Sequence, residues 1–351
     1  MIEISTPGRI CFYGDHQDYL GLPVISGTIN RYIYLKAVPT DSSFFEINLL
    51  NFKKSLNVHF QNNPNTILSG DYFRSGLFVL SKEGIIPNKG YKIDISGDLP
   101  ISAGLSSSSS LVVGWIRFLV QAFAKDKSIT DLQIAKWAVL AEVEFFNSPG
   151  GIMDQYTIAI GGLLAIDTIN ETYENLKGNL GTLLIIDSGI PKNTLGVLKK
   201  TRTNAQKALS IVQKFDDKFT LIDAKETDYK KYKDSLPNEL RPYWKATILN
   251  YMITKRARKI LKKNNSSIKE LSELMNSHQE LLAKEVKNTP LEITNQINQG
   301  IKAGAYGSKI VGSGGGGCMV AMVNPIDVFE IKNAFLKAGA KDVFEVTLTY
   351  S

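Results

Sequence analysis

Three stretches of this sequence carry residue types suited to an anionic, hydroxyl-bearing ligand. The first, residues 7–21, reads PGRICFYGDHQDYLG and places Arg9, Asp15, His16 and Asp18 close together. Ionised carboxylates only accept hydrogen bonds and can each engage two hydroxyls, although DHQD taken alone is the pattern of a solvated turn. The second, PISAGLSSSSS over residues 100–110, sets five serines after Gly104 and Leu105 and ahead of an apolar run. A helix N-terminus offers unpaired N–H groups and partial positive charge, so a small-residue loop ending in Ser106, Ser107, Ser108 and Ser109 suits phosphate. The serine hydroxyls add hydrogen bonds and can ligate Mg²⁺. A serine N-cap is the simpler reading of a single serine, but five in succession make poor helix sequence unless their backbone has another partner. The third stretch, KIVGSGGGGCMVAMV over residues 309–323, contains Gly312, Gly314, Gly315 and Gly316. It fits GxGxxG formally, yet a dinucleotide fingerprint needs a helix directly after the glycines. A strand pattern follows instead, so the run reads as a loop whose backbone approaches a ligand closely.

These loops need elements to hold them. Residues 32–38 are rich in β-formers, and residues 91–96 alternate so that Tyr91, Ile93 and Ile95 share a face. The region between reads as loop and short strands. Residues 111–124 are apolar nearly all round, as in a buried helix, and residues 130–146 form a second helix opened by Thr130 and Gln133 in capping-box spacing. Short buried strands are expected at 163–167 and 182–187, helices at 193–215, 240–263, 268–286 and 291–303, and a strand at 343–349. On the helix over 130–146, Glu142 shares a face with Ile134, Ala135 and Ala138, which points it inward towards a cation. Glu144 shares a face with Trp137 and Leu140, and periodicity does not choose between them. Asp154 lies among Gly150, Gly151 and Gly161, a context that suits close substrate approach and equally a turn carboxylate.

Composition sets the outer bounds. The chain has 351 residues, 43% hydrophobic and 21% charged, with 41 Lys+Arg against 34 Asp+Glu and a net charge of +7. This is a globular composition of two-domain length, and the shift near residues 170–190 divides it into 1–175 and 176–351. Cys11 and Cys318 lack CxxC spacing, so a reduced, cytoplasmic setting is expected. His16, His59 and His278 are too scattered for a histidine metal site. No run approaches the ~18 apolar residues of a membrane span, and the start lacks a signal-peptide plan. GxxxxGK[ST] and HRDxxxxN are absent. The excess positive charge fits a nucleic-acid binder or an enzyme with an anionic substrate. The basic residues between 255 and 263 fall at helical spacing and read as a solvated face; Lys192 and Lys199 could meet a ligand carboxylate, but each reads first as a solvated lysine.

The three stretches, in this order, resemble the motifs of the GHMP small-molecule kinases, and PGR followed by Gly14, Asp15, His16, Gln17, Asp18 and Tyr19 is most similar to galactokinase-like sugar kinases. GIMDQ at 151–155 agrees. The resemblance implies an α+β, two-domain GHMP kinase fold, with a left-handed βαβ unit in the N-terminal domain, a ferredoxin-like C-terminal domain and the active site between them. It implies ATP and Mg²⁺ as cofactors, phosphate held by residues 104–109, Ser108 and Glu142 as metal ligands, Asp154 as proton acceptor and Arg9 stabilising both Asp154 and the transferring phosphoryl. Asp15, His16, Asp18, Gly151 and Asp154 would contact the sugar, and the glycines from 312 to 317 would close over the cleft. The expected partners are a monosaccharide and ATP, with no nucleic acid and no membrane, in a monomer or homodimer. Asp15 stands where galactokinases carry Glu, and the tyrosine lining their sugar pocket has no clear counterpart. Galacturonate therefore ranks behind galactose as substrate, followed by a mevalonate-type acceptor and a non-catalytic sugar sensor.

Overall fold

The computed structural model describes residues 1–351 except 62, 101–103, 125–127, 193, 350 and 351. The expectations attached to Ile101, Ser102 and Ala103 therefore lie outside the described residues.

The first sheet has seven strands: β1 (Ile2–Tyr13), β2 (Val24–Thr40), β3 (Phe44–Leu49), β4 (Lys54–His59), β5 (Gly90–Gly97), β6 (Leu163–Asp167) and β7 (Thr172–Asn175). Its order is β4-β3-β5-β2-β6-β7, with β1 paired to β2. β3 and β5 run parallel; the other pairs are antiparallel. The α-helices that accompany it among the described residues are α1 (Tyr72–Lys82), α2 (Ser107–Phe123), α3 (Asp131–Val139) and α4 (Met153–Ile160). Phe45 and Ile93 of the sheet and Trp115 and Phe118 of α2 lie in one buried cluster, Trp115 and Phe118 stacked 5.3 Å apart. The second sheet comprises β8 (Thr182–Asp187), β9 (Gly307–Ile310), β10 (Cys318–Val323) and β11 (Asp342–Val346), all antiparallel in the order β11-β8-β10-β9. Numbered within this sheet the order is 4-1-3-2, the ferredoxin-like arrangement. Its helices are α5 (Thr194–Phe215), α6 (Asp228–Tyr232), α7 (Arg241–Leu261), α8 (Ile268–Leu281), α9 (Leu291–Lys302) and α10 (Val328–Lys337). A shared core joins the halves: Ile10, Phe12 and Ile25 pack in one cluster with Leu183, Val320 and Val346.

Several elements depart from expectation, each for a local reason. The first motif is the end of a long strand, β1, with register shifts at Pro7/Gly8 and Cys11/Tyr13. Those irregularities mask its period-two pattern. α2 begins at Ser107, because the Ser110 hydroxyl donates to the carbonyls of Pro7 (2.7 Å) and Ser106 (3.0 Å) and thereby fixes the serine run against β1. The helix expected over 130–146 is capped as foreseen, the Thr130 hydroxyl accepting from Gln133 N–H, but it turns into a π-helical stretch, Leu140–Glu144. α1 and α10 interrupt regions read as loop or left unassigned.

Candidate active site

Elements of the first half, β1 with Arg9 and α1 with Tyr72 among them, and segments of the second converge on a cleft of about 380 Å³. The turn after β1 supplies Asp15, His16 and Asp18, the start of α2 supplies Ser106 to Ser109, the π-helical stretch supplies Glu142, and α4 supplies Asp154. From the other half come Lys192, Leu198, Gly312 and Ser313.

At its centre Arg9 grips Asp154. Its Nε donates to Oδ1 at 2.7 Å and Nη2 to Oδ2 at 2.9 Å, while Nη1 donates to the Gly104 carbonyl at 2.6 Å. The Ser106 hydroxyl donates to Asp154 Oδ2 at 2.5 Å. Burial pushes the Asp154 carboxyl up, but Arg9 and Ser106 outweigh it and hold the group below the usual carboxylate range. Asp154 is thus an ionised acceptor at neutral pH. The geometry alters two expectations. Ser106, expected on phosphate, directs its hydroxyl to Asp154, and Leu105 is fully buried and does not line the cleft, its carbonyl accepting the backbone N–H of Arg9 at 3.2 Å.

The π-helical stretch sets the two glutamates in different surroundings. Glu142 is 8% exposed and lines the cleft, whereas Glu144 is exposed. Gln155 Nε2 donates to Glu142 Oε2 at 2.6 Å. Burial raises the Glu142 carboxyl, and hydrogen bonds from Gln155, Ser109 and Ser108 offset this only in part. A buried, incompletely compensated carboxylate beside serine hydroxyls is a hard-oxygen donor set of the kind Mg²⁺ uses with substrate phosphates. Among the described residues no group of three or more His, Cys, Asp or Glu forms a complete cage.

The first motif divides. Asp18 is half-buried and faces the cleft: among the described residues its Oδ1 accepts Tyr19 N–H alone, at 3.0 Å, and burial together with the charge of Asp154 pushes it up to about 6. A Cβ on Gly151 would collide with its carboxylate, so Gly151 is what leaves Asp18 room. Asp15 differs from its expected role. It is buried, its Oδ2 is 2.7 Å from Lys309 Nζ, and its Oδ1 accepts Gly312 N–H at 3.1 Å. Both oxygens therefore bind the chain itself, anchoring the third motif. His16 is also engaged: Nδ1 meets the Tyr19 hydroxyl at 3.1 Å and Nε2 the Ser313 carbonyl at 3.0 Å. Burial lowers its pKa against the pull of Asp15.

The glycine run is corrected in the same way. Gly312 and Ser313 reach the cleft, but Gly314, Gly315 and Gly316 are not among its lining. Gly315 N–H donates to the Asn288 carbonyl at 2.6 Å, a Cβ on Gly314 would meet Asn288 at 2.6 Å, and Gly316 packs on the Pro191 carbonyl. Lys192, expected to be solvated, lines the cleft, as does Leu198. Of the basic helix face, Arg256 pairs with Glu226 and Arg258 and Lys262 with Glu174. Among the described residues no helix is long and apolar enough to cross a membrane.

Residues 72–162 match the GHMP kinases N terminal domain and residues 257–341 the GHMP kinases C terminal domain. The chain is 30% identical to a galactokinase of Clostridium perfringens over 342 residues, covering 93% of this chain and 87% of that protein. It superposes on the crystal structure of Lactococcus lactis galactokinase complexed with galactose with a TM-score of 0.87, at 21% identity and covering 99% and 93% of the two chains. The Methanococcus jannaschii mevalonate kinase shares the fold at a TM-score of 0.74, 23% identity and 99% and 98% coverage.

Proposed function

The chain belongs to the GHMP kinases, which use ATP as phosphoryl donor, and from that premise we propose that it phosphorylates the anomeric hydroxyl of galactose or a closely related sugar. What carries this reading is the pairing of an Arg-clamped Asp154 with the open carboxylate Asp18 across one cleft, in a chain whose 30% identical relative is a galactokinase.

Each residue then has work to do. Phosphoryl transfer leaves little covalent chemistry to the protein, so catalysis is alignment and charge neutralisation. Backbone N–H groups of residues 106–109, at the N-terminus of α2, receive the ATP phosphates. Asp154, ionised through neutral pH, accepts the proton of the attacking hydroxyl, and Arg9 keeps it ionised and oriented. Asp18 receives sugar hydroxyls, with His16 and Gly151 shaping the same wall. Ser108 and Glu142 would hold Mg²⁺, and the chemistry supplied there is neutralisation of phosphate oxygens. The division between the two sheets, at residues 175–182, is where we place the domain boundary. Two buried free thiols, Cys11 and Cys318, support a reducing compartment, the cytoplasm.

Two consequences are measurable. Ser108→Ala and Glu142→Gln each raise the Mg²⁺ concentration for half-maximal rate while Glu144→Gln does not, read from Mg²⁺ titrations at fixed ATP. Because the Asp18 carboxyl is pushed up to about 6, it is neutral below that pH and loses acceptor capacity. kcat/KM for the sugar should fall as pH drops through about 6, and Asp18→Asn should flatten that limb at a lower overall rate.

The substrate is tested by coupled ADP release over galactose, galacturonate, glucuronate, N-acetylgalactosamine, arabinose, fucose and mevalonate. Galactose should give the highest kcat/KM. Activity on galacturonate alone would move the assignment to sugar acids, activity on mevalonate alone would overturn the sugar reading, and ATP turnover with none would favour a sugar sensor.

A further inference from the structure

The acceptor end of the cleft holds fewer free hydrogen-bonding groups than the sequence promises. Asp15, His16 and Asp18 all line the cleft and have the chemistry to bind hydroxyls. The Asp15 side chain is 1% exposed, and its oxygens are taken by Lys309 Nζ and Gly312 N–H. The His16 ring is used on both sides. A carbonyl only accepts, so in the neutral ring that burial favours Nε2 donates to Ser313, and Nδ1 accepts from the Tyr19 hydroxyl. Ser313 turns its own hydroxyl inward, where it is buried. Of the three first-motif groups, Asp18 keeps an oxygen, Oδ2, with no partner among the described residues.

The second half closes this end with a side chain of the opposite kind. Leu198 and Arg202 stand one turn apart on α5 and share a face. The Arg202 guanidinium lies over the Tyr19 ring, 5.8 Å from its centroid, and Ala208 and Val212 of α5 pack in one buried cluster with Leu22. The helix therefore runs along the turn that presents Asp18. Leu198 is the apolar side chain that the second half brings to the cleft, and it stands beside that turn; Arg202, engaged with Tyr19, does not line the cleft.

We propose that Leu198 is a specificity-determining residue that packs against the exocyclic carbon of the acceptor sugar, so that the cleft reads ring hydroxyls at Asp18 and Asp154 and leaves a hydroxyl on the exocyclic arm unread. The proposal rests on the sugar-kinase reading of the cleft and widens its substrate class to aldohexoses with or without that hydroxyl. The division follows from the chemistry of the two walls. Carboxylates accept from hydroxyls, which a sugar ring presents in fixed directions. The exocyclic carbon stands clear of the ring and offers aliphatic surface, which an aliphatic wall removes from water.

Such a wall has a readable signature. Where a site hydrogen-bonds a substrate hydroxyl, the analogue lacking it is rejected by about 10⁴-fold or more, because the buried partner is left unpaired. Against Leu198 nothing is left unpaired, and removing the hydroxyl costs only a few contacts. A carboxylate on the same arm would instead be desolvated beside an aliphatic side chain with no cation to meet it, which counts against a sugar acid.

The test compares wild type with Leu198→Gln on galactose, 6-deoxygalactose and galacturonate, by coupled ADP release and by calorimetric binding of each sugar. In wild type, kcat/KM for 6-deoxygalactose is expected within about 10-fold of galactose, and galacturonate about 100-fold or more below it. Leu198→Gln keeps the size of the side chain but adds an amide that can pair with the arm hydroxyl. It is expected to move the preference towards galactose over 6-deoxygalactose by about 10-fold, one hydrogen bond's worth, with KM for ATP nearly unchanged. A merely structural defect would lower both sugars alike and leave their ratio where it was. A wild-type loss on 6-deoxygalactose larger than about 10-fold, a ratio unmoved in Leu198→Gln, or galacturonate used as well as galactose would each overturn the proposal. If wild type phosphorylates none of the three, the sugar-kinase reading falls by itself, and the calorimetric ratio of galactose to 6-deoxygalactose still decides the contact at Leu198.

Discussion

Asp154→Asn should lower kcat by about 100-fold or more, the usual effect of removing a positioned proton acceptor, while changing the affinity for an ATP analogue little. The reason lies in how the site holds the carboxylate. Arg9 and Ser106 keep Asp154 ionised in spite of burial, so wild type has a proton acceptor throughout the neutral range. An amide accepts no proton, and it turns an NH₂ towards either Arg9 or Ser106. The variant therefore loses the acceptor and loosens Arg9, which is also bound to the Gly104 carbonyl at the mouth of the phosphate loop. Single-turnover kinetics with saturating ATP and sugar isolate the chemical step. Near-normal turnover in the folded variant would remove Asp154 from the reaction.

Lys309→Met should be the most destabilising single change near the site, costing about 3–5 kcal/mol, the range found when one partner of a buried ion pair is removed. The Lys309 and Asp15 side chains are 0% and 1% exposed, and Lys309 Nζ also donates to the Cys11 carbonyl at 3.0 Å. The pair joins β9 to β1 and the turn after it, so its loss affects the contact between the two halves. Asp15 would keep Gly312 N–H but lose its countercharge. The nearby His278, whose Nε2 is 3.8 Å away, is neutral in wild type, pressed down to about 3 by burial and then by the charge of Lys309, and in the variant burial still opposes its charging. The sign of the pH dependence follows. In wild type, burial raises the Asp15 carboxyl but the charge and hydrogen bond of Lys309 outweigh it, so the group is depressed on folding. Its stabilisation is present above the ordinary carboxylate range and is lost as pH falls through and below it. Without Lys309 burial dominates, Asp15 protonates more readily, and the deficit of the variant should shrink as pH is lowered from neutral. Denaturant midpoints at two pH values read this directly. A loss below about 1 kcal/mol, the ordinary effect of a surface pair, would show that the pair does not hold the halves together. Asp15→Asn combined with Lys309→Met should recover part of the loss, since no buried charge is then left alone.

The parts of the site legible in the sequence are those whose chemistry is local. A serine run before an apolar helix and a glycine run between two strands announce backbone with unusual work, and both lie at or beside the cleft. Periodicity stopped at the choice between Glu142 and Glu144, because the stretch that decides it is π-helical and rotates the face by part of a turn. The role of Asp15 was not legible, since its partner Lys309 is 294 residues away, on the short buried strand β9. Lys192 escapes a periodic reading because it stands in the irregular link before α5, where a basic residue carries no periodic signal, and the packing of residues 188–191 on the glycines aims that link at the cleft; Leu198 stands on α5, whose pattern does not tell which neighbour its apolar positions meet. α1 shows the limit for elements, its buried Phe73, Leu77 and Leu80 following an Asn-rich stretch that conceals the start of the pattern.

The claim underlying all of this is that one cleft carries a phosphoryl group from ATP to the anomeric oxygen of a sugar. The direct test is ³¹P NMR of a reaction of purified protein with ATP, Mg²⁺ and galactose. The site described here predicts equal growth of ADP and of a single sugar phosphate whose phosphorus couples to the anomeric proton, absent with Asp154→Asn. ATP consumed without a sugar phosphate, or a phosphate attached at any other hydroxyl, would contradict it.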